Sequence, residues 1–340
     1  MKALFIGGTG TISMAITRLI ADHPDWELTL LNRGTRKDDL PEGIKTITAD
    51  ISDEAAVAKV LDRLTFDCVC DFIAFEKAQL ERDFRLFSGK TKQFIFISSA
   101  SAYQKPLSDP LITESTPLHN PHWAYSRSKI ECEEYLLARY REDNFPITIV
   151  RPSHTYDERN LPLALKGAKG AWQVIRRMQE DKRVLIHGDG TSLWTITHNS
   201  DFAKGFVGLM GNAHAIGQAY HITSDESVTW NQIYAIIADE LGVPLHTCHV
   251  PSDFLCGLAP YDFEGSLLGD KAHSVLFDNS KIKRAVPGFA CTVRADQGLR
   301  KTVRHLLATP ALQQEDPEFD AFCDRVINAL DAAKDALHRA

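Results

Sequence analysis

The chain has 340 residues, 44% hydrophobic and 24% charged, with a net charge of −7, values that belong to a globular protein and exclude disordered and fibrous classes. That length exceeds the size at which single cores stop growing, so two domains, or one with an appended lobe, are expected. An acidic balance without blocks of like charge offers no footprint for nucleic acid or an anionic membrane, and neither is expected as a partner. Short apolar runs alternate with helical patterns through the first half, which predicts βαβ units and a parallel sheet. Strands are expected at 2–6, 27–31, 44–48, 68–72, 93–97 and 147–150, each dense in Ile, Val, Leu or Phe, as in a strand buried on both faces. The intervening helices are expected at 11–22, 53–64 and 126–141. Beyond Pro152 the chain is punctuated by Pro and Gly and reads as a smaller lobe, with a strand at 218–223 returning to the main sheet before a helix at 231–241. After Pro317, residues Phe319, Phe322, Val326, Ile327 and Leu330 recur at helical spacing, which predicts an amphipathic terminal helix packed on the body or on a partner subunit.

The seven cysteines (Cys68, Cys70, Cys132, Cys248, Cys256, Cys291 and Cys323) have neither zinc-site nor disulfide-framework spacing and read as reduced thiols of a cytoplasmic protein. Gly7-Gly8-Thr9-Gly10 breaks the first apolar run too early for a cleaved leader. The longest uncharged stretch, 205–224, contains Asn212, His214 and Gln218, and no membrane span is expected. His246, Cys248 and His249 are metal-ligand types, but they lie in a short segment without further ligands, so no metal is expected.

Gly7-Gly8-Thr9-Gly10-Thr11-Ile12-Ser13 lies between the first predicted strand and the first predicted helix, the context of a dinucleotide-binding loop. Glycines allow a tight turn and close backbone approach to a pyrophosphate, whose charge rests on the helix N-terminus. Ser13 stands where the last glycine of that pattern is usual and is small enough to keep helix and strand close. The second strand ends in Asn32-Arg33 without the carboxylate that holds an NAD ribose, so Arg33 either meets the 2′-phosphate of NADP or is a solvated surface residue; the balance favours NADP over NAD. Asp50 and Ile51 close the third strand, where an acid and an apolar side chain bracket an adenine amino group and ring. Tyr125 and Lys129, four residues apart in a predicted helix, share a face. A phenol with a pKa of about 10 needs a neighbouring ammonium to act as an acid/base near neutrality, and Lys129 supplies one. The fifth strand runs into Ser98-Ser99-Ala100-Ser101-Ala102-Tyr103, placing hydroxyls where doubly wound sheets bind ligands.

Together with Arg151-Pro152, His198-Asn199-Ser200-Asp201 and Asp278-Asn279-Ser280-Lys281, these motifs resemble the extended short-chain dehydrogenase/reductase, or NAD-dependent epimerase/dehydratase, family over residues 1–307. The resemblance implies an α/β fold with a doubly wound Rossmann-type parallel sheet and a smaller C-terminal substrate-binding lobe. The cofactor domain is expected at 1–155, with a returning segment near 184–226; the lobe at 156–183 and 227–310; the terminal helix within 311–340. It also implies a catalytic set of Ser99, Tyr125 and Lys129. The implied cofactor contacts are Gly7, Gly8, Thr9, Gly10, Thr11, Ile12, Asn32, Arg33, Asp50, Ile51, Phe72, Ile73, Ala74, Tyr125, Lys129, Pro152 and Ser153. Substrate contacts are implied at Ser101, His154 and Trp194, the last either stacking on a sugar ring or packing in a core. Family dehydratases carry an acidic pair where this chain has Ala100-Ser101, and its nucleotide-sugar enzymes carry Asn and Arg where it has His154 and Trp194. The expected protein is therefore an NAD(P)-dependent oxidoreductase acting on a secondary alcohol or ketone of a sugar without a nucleotide, and a homodimer. The alternatives are an epimerase that retains its cofactor, or a non-catalytic cofactor-bound relative that binds RNA or protein.

Overall fold

The computed structural model describes residues 1–34 and 40–339. The chain divides into two units, each discontinuous in sequence. Met1–Thr155, Thr197–Asp225 and Phe277–Thr292 form the first; Tyr156–Ile196, Glu226–Leu276 and the chain from Val293 onward form the second.

The first unit is built on seven strands: β1 (Lys2–Ile6), β2 (Glu27–Asn32), β3 (Lys45–Thr48), β4 (Cys68–Asp71), β5 (Phe94–Ile97), β6 (Ile147–Pro152) and β7 (Gln218–Ile222). They pair in parallel in the order β7-β6-β5-β4-β1-β2-β3. Its longer helices are α1 (Thr11–Ala21), α2 (Glu54–Val60), α3 (Lys77–Phe87), α4 (Ala124–Asp143) and α5 (Asn199–Leu209). Because successive strand side chains point to opposite faces, Ala3 and Phe5 join Ile16, Phe202 and Phe206 on one side. Leu4 and Ile6 join Val57, Leu80, Phe87 and Leu136 on the other. Every residue of β4, β5 and β6 is buried, which is why these strands read as mainly apolar, with Asp71, Thr148 and Arg151 as the polar exceptions. The fold is thus a doubly wound α/β sheet. Its strand order reverses between β1 and β4, and such sheets bind ligands beyond the carboxyl ends of the strands at that reversal.

The structure departs from the sequence expectation in four places. The helix expected at 53–64 ends at Val60. Helix α3 was not expected, although Leu80, Phe84 and Phe87 recur on one of its faces. The returning segment begins at Thr197 rather than near 184, because Val184–His187 pairs with Thr247–Val250 inside the second unit. Residues 277–292 belong to the first unit, where Ile282 of the helix Ser280–Ala285 is buried with Tyr220 and Ile222 of β7.

In the second unit the terminal helix Pro317–His338 packs through Phe322 against Tyr261, with ring centroids 4.9 Å apart. The buried Arg177 reaches Asp320 and Asp324 of that helix at 2.6 and 2.7 Å. All seven cysteines are free thiols. Among the described residues no helix is long and apolar enough to cross a membrane, and no group of three or more His, Cys, Asp or Glu is placed to hold a metal ion.

Candidate functional site

A cavity of about 680 Å³ opens at the carboxyl ends of six strands of the first unit. Its wall takes Gly7 and Thr9–Ser13 after β1, Leu31–Gly34 at the end of β2, and 49–52 after β3. Phe72, Ile73 and Phe75 after β4, Ile97 and Ser98 at the end of β5, and Pro152 of β6 complete that edge. Gln79 and Arg82 of α3 and Tyr125 and Lys129 of α4 close it.

The glycine loop is shaped for a ligand that approaches its backbone. Gly7 has φ of +83°, and a Cβ there would lie 2.3 Å from Ile73 Cγ2, so no other residue fits without displacing the cavity wall. Ser13 does more than substitute for a glycine: its Oγ donates to the Gly7 carbonyl and accepts from the Gly10 N–H, both at 2.8 Å, bracing the turn that starts α1. Asn199 Nδ2 donates to the Thr11 carbonyl at 2.9 Å and ties α5 to the same helix start. An anion placed here meets the positive end of α1. A glycine cradle that a Cβ would fill, a helix start and the Arg33 cation in one elongated cavity fit a dinucleotide.

At the other end of the cavity, α4 presents Tyr125 and Lys129 one turn apart. The Lys129 Nζ donates to the Ala74 and Ile97 carbonyls at 2.7 and 2.8 Å, so this ammonium bridges the ends of β4 and β5. It lies 5.8 Å from the Tyr125 ring centroid and 4.6 Å from that of Phe75. Burial pulls its pKa down to about 8, partly opposed by neighbouring acidic groups. The Tyr125 ring is flanked by Trp123 at 5.0 Å and Phe75 at 6.3 Å.

Ser99 is half-buried at the end of β5 and belongs to a chain of hydroxyls. Ser126 Oγ donates to Ser101 Oγ at 2.7 Å, and Ser101 Oγ lies 2.9 Å from Ser99 Oγ. The Ser101 N–H also donates to Ser99 Oγ, at 3.2 Å. Ser101 Oγ thus accepts the Ser126 proton, and in its bond with Ser99 Oγ either hydroxyl can be the donor. Asn120 Nδ2 donates to the Ser101 carbonyl at 2.8 Å while its Oδ1 accepts from the His122 and Trp123 N–H groups, so one buried side chain fixes the serine turn relative to the start of α4.

Beneath this surface lies a buried ion pair. Arg151 of β6 donates from Nε and Nη2 to the two carboxylate oxygens of Glu133, one turn beyond Lys129, at 2.9 and 2.5 Å. Its Nη1 donates to the Tyr103 hydroxyl at 3.2 Å, which lies 3.1 Å from His221 Nδ1 of β7.

Of the cofactor contacts expected from sequence, Gly7, Thr9, Gly10, Thr11, Ile12, Asn32, Arg33, Asp50, Ile51, Phe72, Ile73, Tyr125, Lys129 and Pro152 line the cavity; Gly8, Ala74 and Ser153 do not. Ala74 instead offers its carbonyl to Lys129. Ser101, expected at the substrate, is 4% exposed and engaged with Ser99 and Ser126. His154 is half-buried in the strand His154–Tyr156. Trp194 is a core residue of the second unit, 2% exposed, 5.4 Å from Trp230 and with Lys271 Nζ over its ring at 5.6 Å, which leaves it no free face for a sugar. Sequence reading missed Gln79 and Arg82 because it missed α3; the 80, 84, 87 apolar spacing was the available signal.

A model of the NAD dependent epimerase/dehydratase family matches residues 3–223. A Bacillus subtilis (strain 168) protein described as the uncharacterized UDP-glucose epimerase YtcB is 26% identical over 149 residues, 44% of this chain and 45% of that one. The chloroplast stem-loop binding protein of 41 kDa b from Arabidopsis thaliana is 25% identical over 256 residues, 72% of this chain and 64% of that one. The chain thus spans less than two thirds of the length of either relative. Among solved structures, UDP-glucuronic acid 4-epimerase from Bacillus cereus, determined with UDP-glucuronic acid and NAD, has a TM-score of 0.72. That alignment covers 91% of this chain and 99% of the epimerase at 18% identity, a likeness of fold.

Proposed function

The chain belongs to the NAD dependent epimerase/dehydratase family, and from that premise we propose that it is an NAD(P)-dependent oxidoreductase acting at a secondary alcohol or ketone of a sugar or sugar derivative without a nucleotide. The observation that carries this reading is Tyr125 and Lys129 at one end of a dinucleotide-sized cavity, with the Ser99 hydroxyl joined to the same helix through Ser101 and Ser126. The bound nicotinamide supplies the hydride acceptor or donor. Tyr125 exchanges the proton of the substrate oxygen, the Lys129 ammonium stabilises its phenolate, and Ser99 donates to the same oxygen to orient it. With Ala100-Ser101 after Ser99, no carboxylate is at hand there to drive loss of water. Epimerisation is the close variant, in which the same residues act twice on one substrate and the cofactor stays bound.

The substrate class rests on His154 and Trp194, the positions at which the nucleotide-sugar enzymes of the family carry Asn and Arg. A diphosphate needs fixed charged donors, and an indole packed in a core supplies no charge in place of a guanidinium fork. Losing such a contact costs on the order of 2–5 kcal/mol, at least tenfold in affinity. Calorimetric titration of UDP- and dTDP-sugars into the cofactor-loaded protein is expected to show only weak binding; micromolar affinity for any of them overturns the substrate class and leaves the redox chemistry standing.

The finer cofactor choice rests on Asn32 and Arg33. NADP(H) is expected to bind at least as well as NAD(H), because the end of β2 offers a cation and no carboxylate to the ribose. Fluorescence titration of both cofactors tests this, and a clear preference for NAD(H) that Arg33→Ala leaves unchanged removes the assignment.

A second reading, a cofactor-bound RNA-binding protein, is favoured by the identity to the stem-loop binding protein and opposed by the net charge of −7.

A further inference from the structure

One guanidinium in the wall of the cavity is held rigidly without being used up. Arg82 is 8% exposed; its Nε donates to Asp83 Oδ1 at 2.8 Å, and its Nη2 lies 2.7 Å from the same oxygen and 3.8 Å from Asp71 Oδ2. Among the described residues the Nε bond is the one side-chain hydrogen bond Arg82 makes; Nη2 is buried in its ion pair with Asp83, and Nη1 makes none. Burial and the neighbouring Asp71 push the Asp83 carboxyl well above the usual carboxylate range, an effect Arg82 opposes. A buried cation with donors to spare calls for an acceptor, and the cavity is where one arrives.

The position of α3 decides which part of a dinucleotide that is. Arg85, three residues further along the helix, binds Glu54 with two hydrogen bonds of 2.8 and 2.7 Å, which pins α3 beside the start of α2, four residues after Asp50. Arg82 and Asp50 line the same cavity, and Asp50 is held below the usual range first by the Ser52 N–H and hydroxyl, with smaller help from Arg33 and Arg82. Ile51, 6% exposed, lies beside them as an apolar wall. An acceptor carboxylate, a donor guanidinium and an apolar side chain together complement a planar base that presents an amino donor next to a ring-nitrogen acceptor. Adenine has that edge. Hypoxanthine reverses it, with a keto oxygen and a ring N–H that face a carboxylate and a guanidinium in the wrong sense.

We propose that Arg82 is a base-recognition residue of the cofactor cavity, donating to an adenine ring nitrogen while Asp50 accepts from the 6-amino group. The proposal rests on reading the cavity as a dinucleotide site.

The test compares binding of NADH and of reduced nicotinamide hypoxanthine dinucleotide by fluorescence titration, a readout independent of any substrate. The native protein is expected to bind NADH at least about tenfold more tightly, since the wrong base sets a keto oxygen against the Asp50 carboxylate and a ring N–H against the buried Arg82 guanidinium. In Arg82→Lys, which keeps a cation beside Asp71 and Asp83 but loses the fork, that ratio should shrink to about threefold or less, chiefly through weaker NADH binding. Arg82→Met should do the same where it folds. An unchanged ratio in Arg82→Lys, or no base preference in the native protein, overturns the assignment. Where only NADPH binds, the same comparison is made with its hypoxanthine analogue; failure of the native protein to bind NADH and NADPH alike removes the cofactor reading and this proposal together, an outcome distinct from binding without base preference.

Discussion

Tyr125→Phe is expected to lower turnover by roughly 10²–10⁴-fold, the range contributed by a positioned acid/base, while leaving cofactor affinity nearly intact. The ring, with Trp123 and Phe75 on either side, remains in the variant, and only the exchangeable proton is lost. Lys129→Ala should damage binding and turnover together, because Nζ holds the ends of β4 and β5 through the Ala74 and Ile97 carbonyls as well as supplying charge. The pH dependence follows from the same group. Desolvation draws the Lys129 pKa down to about 8, so the ammonium that stabilises a Tyr125 phenolate is present below that pH and lost as pH rises through it. Turnover should therefore show an alkaline limb near pH 8. Steady-state kinetics on the first substrate the native protein converts will check both points. Activity of Tyr125→Phe within about tenfold of native, only ~1.4 kcal/mol of barrier, would remove Tyr125 from the chemistry.

The second large effect is on stability. Glu133→Ala leaves Arg151, 4% exposed, without its carboxylate in a desolvated site. Breaking one side of such a pair costs about 3–5 kcal/mol, which for a unit of this size lowers Tm by roughly 10 °C. The paired replacement Glu133→Leu with Arg151→Met should recover most of the loss, because it removes both charges and refills the space. Calorimetry on the three proteins separates the cases. If the double variant is no more stable than Glu133→Ala, the penalty comes from lost packing and not from an unpaired buried cation. The pair also matters to the site, since Glu133 and Lys129 lie one turn apart on α4 and Arg151 anchors that turn to β6.

The parts of this protein legible in its sequence are those that depend on local rules. Strands buried on both faces are mainly apolar, so β1, β4, β5 and β6 show as apolar runs in the sequence, and the part-buried β2 shows through Leu28, Leu30 and Leu31. A turn with φ of +83° pressed against Ile73 demands glycine, so the loop after β1 is visible as Gly7 to Gly10. Helical periodicity alone puts Tyr125 and Lys129 on one face.

What escaped the sequence depended on partners far away in the chain. Helix α3 packs Leu80 and Phe87 into a core with Leu4, Ile6 and Leu136 but carries Lys77, Glu81, Arg82, Asp83 and Arg85, so its apolar stripe is thin and its charged face dominates the reading. Whether Trp194 is a ligand platform or core was open until its ring was seen 5.4 Å from that of Trp230, thirty-six residues later. That Ser101, expected at the substrate, accepts from Ser126 depends on a helix twenty-five residues further along the chain. The division into units turned on which strand Val184–His187 pairs with, and that strand is Thr247–Val250. Local sequence determined the sheet, the glycine loop and the shared face of Tyr125 and Lys129, because period and backbone sterics act within a few residues. Tertiary structure alone decided which polar side chains are spent on one another and which remain for a ligand, because burial and hydrogen-bond satisfaction are properties of assembled neighbours.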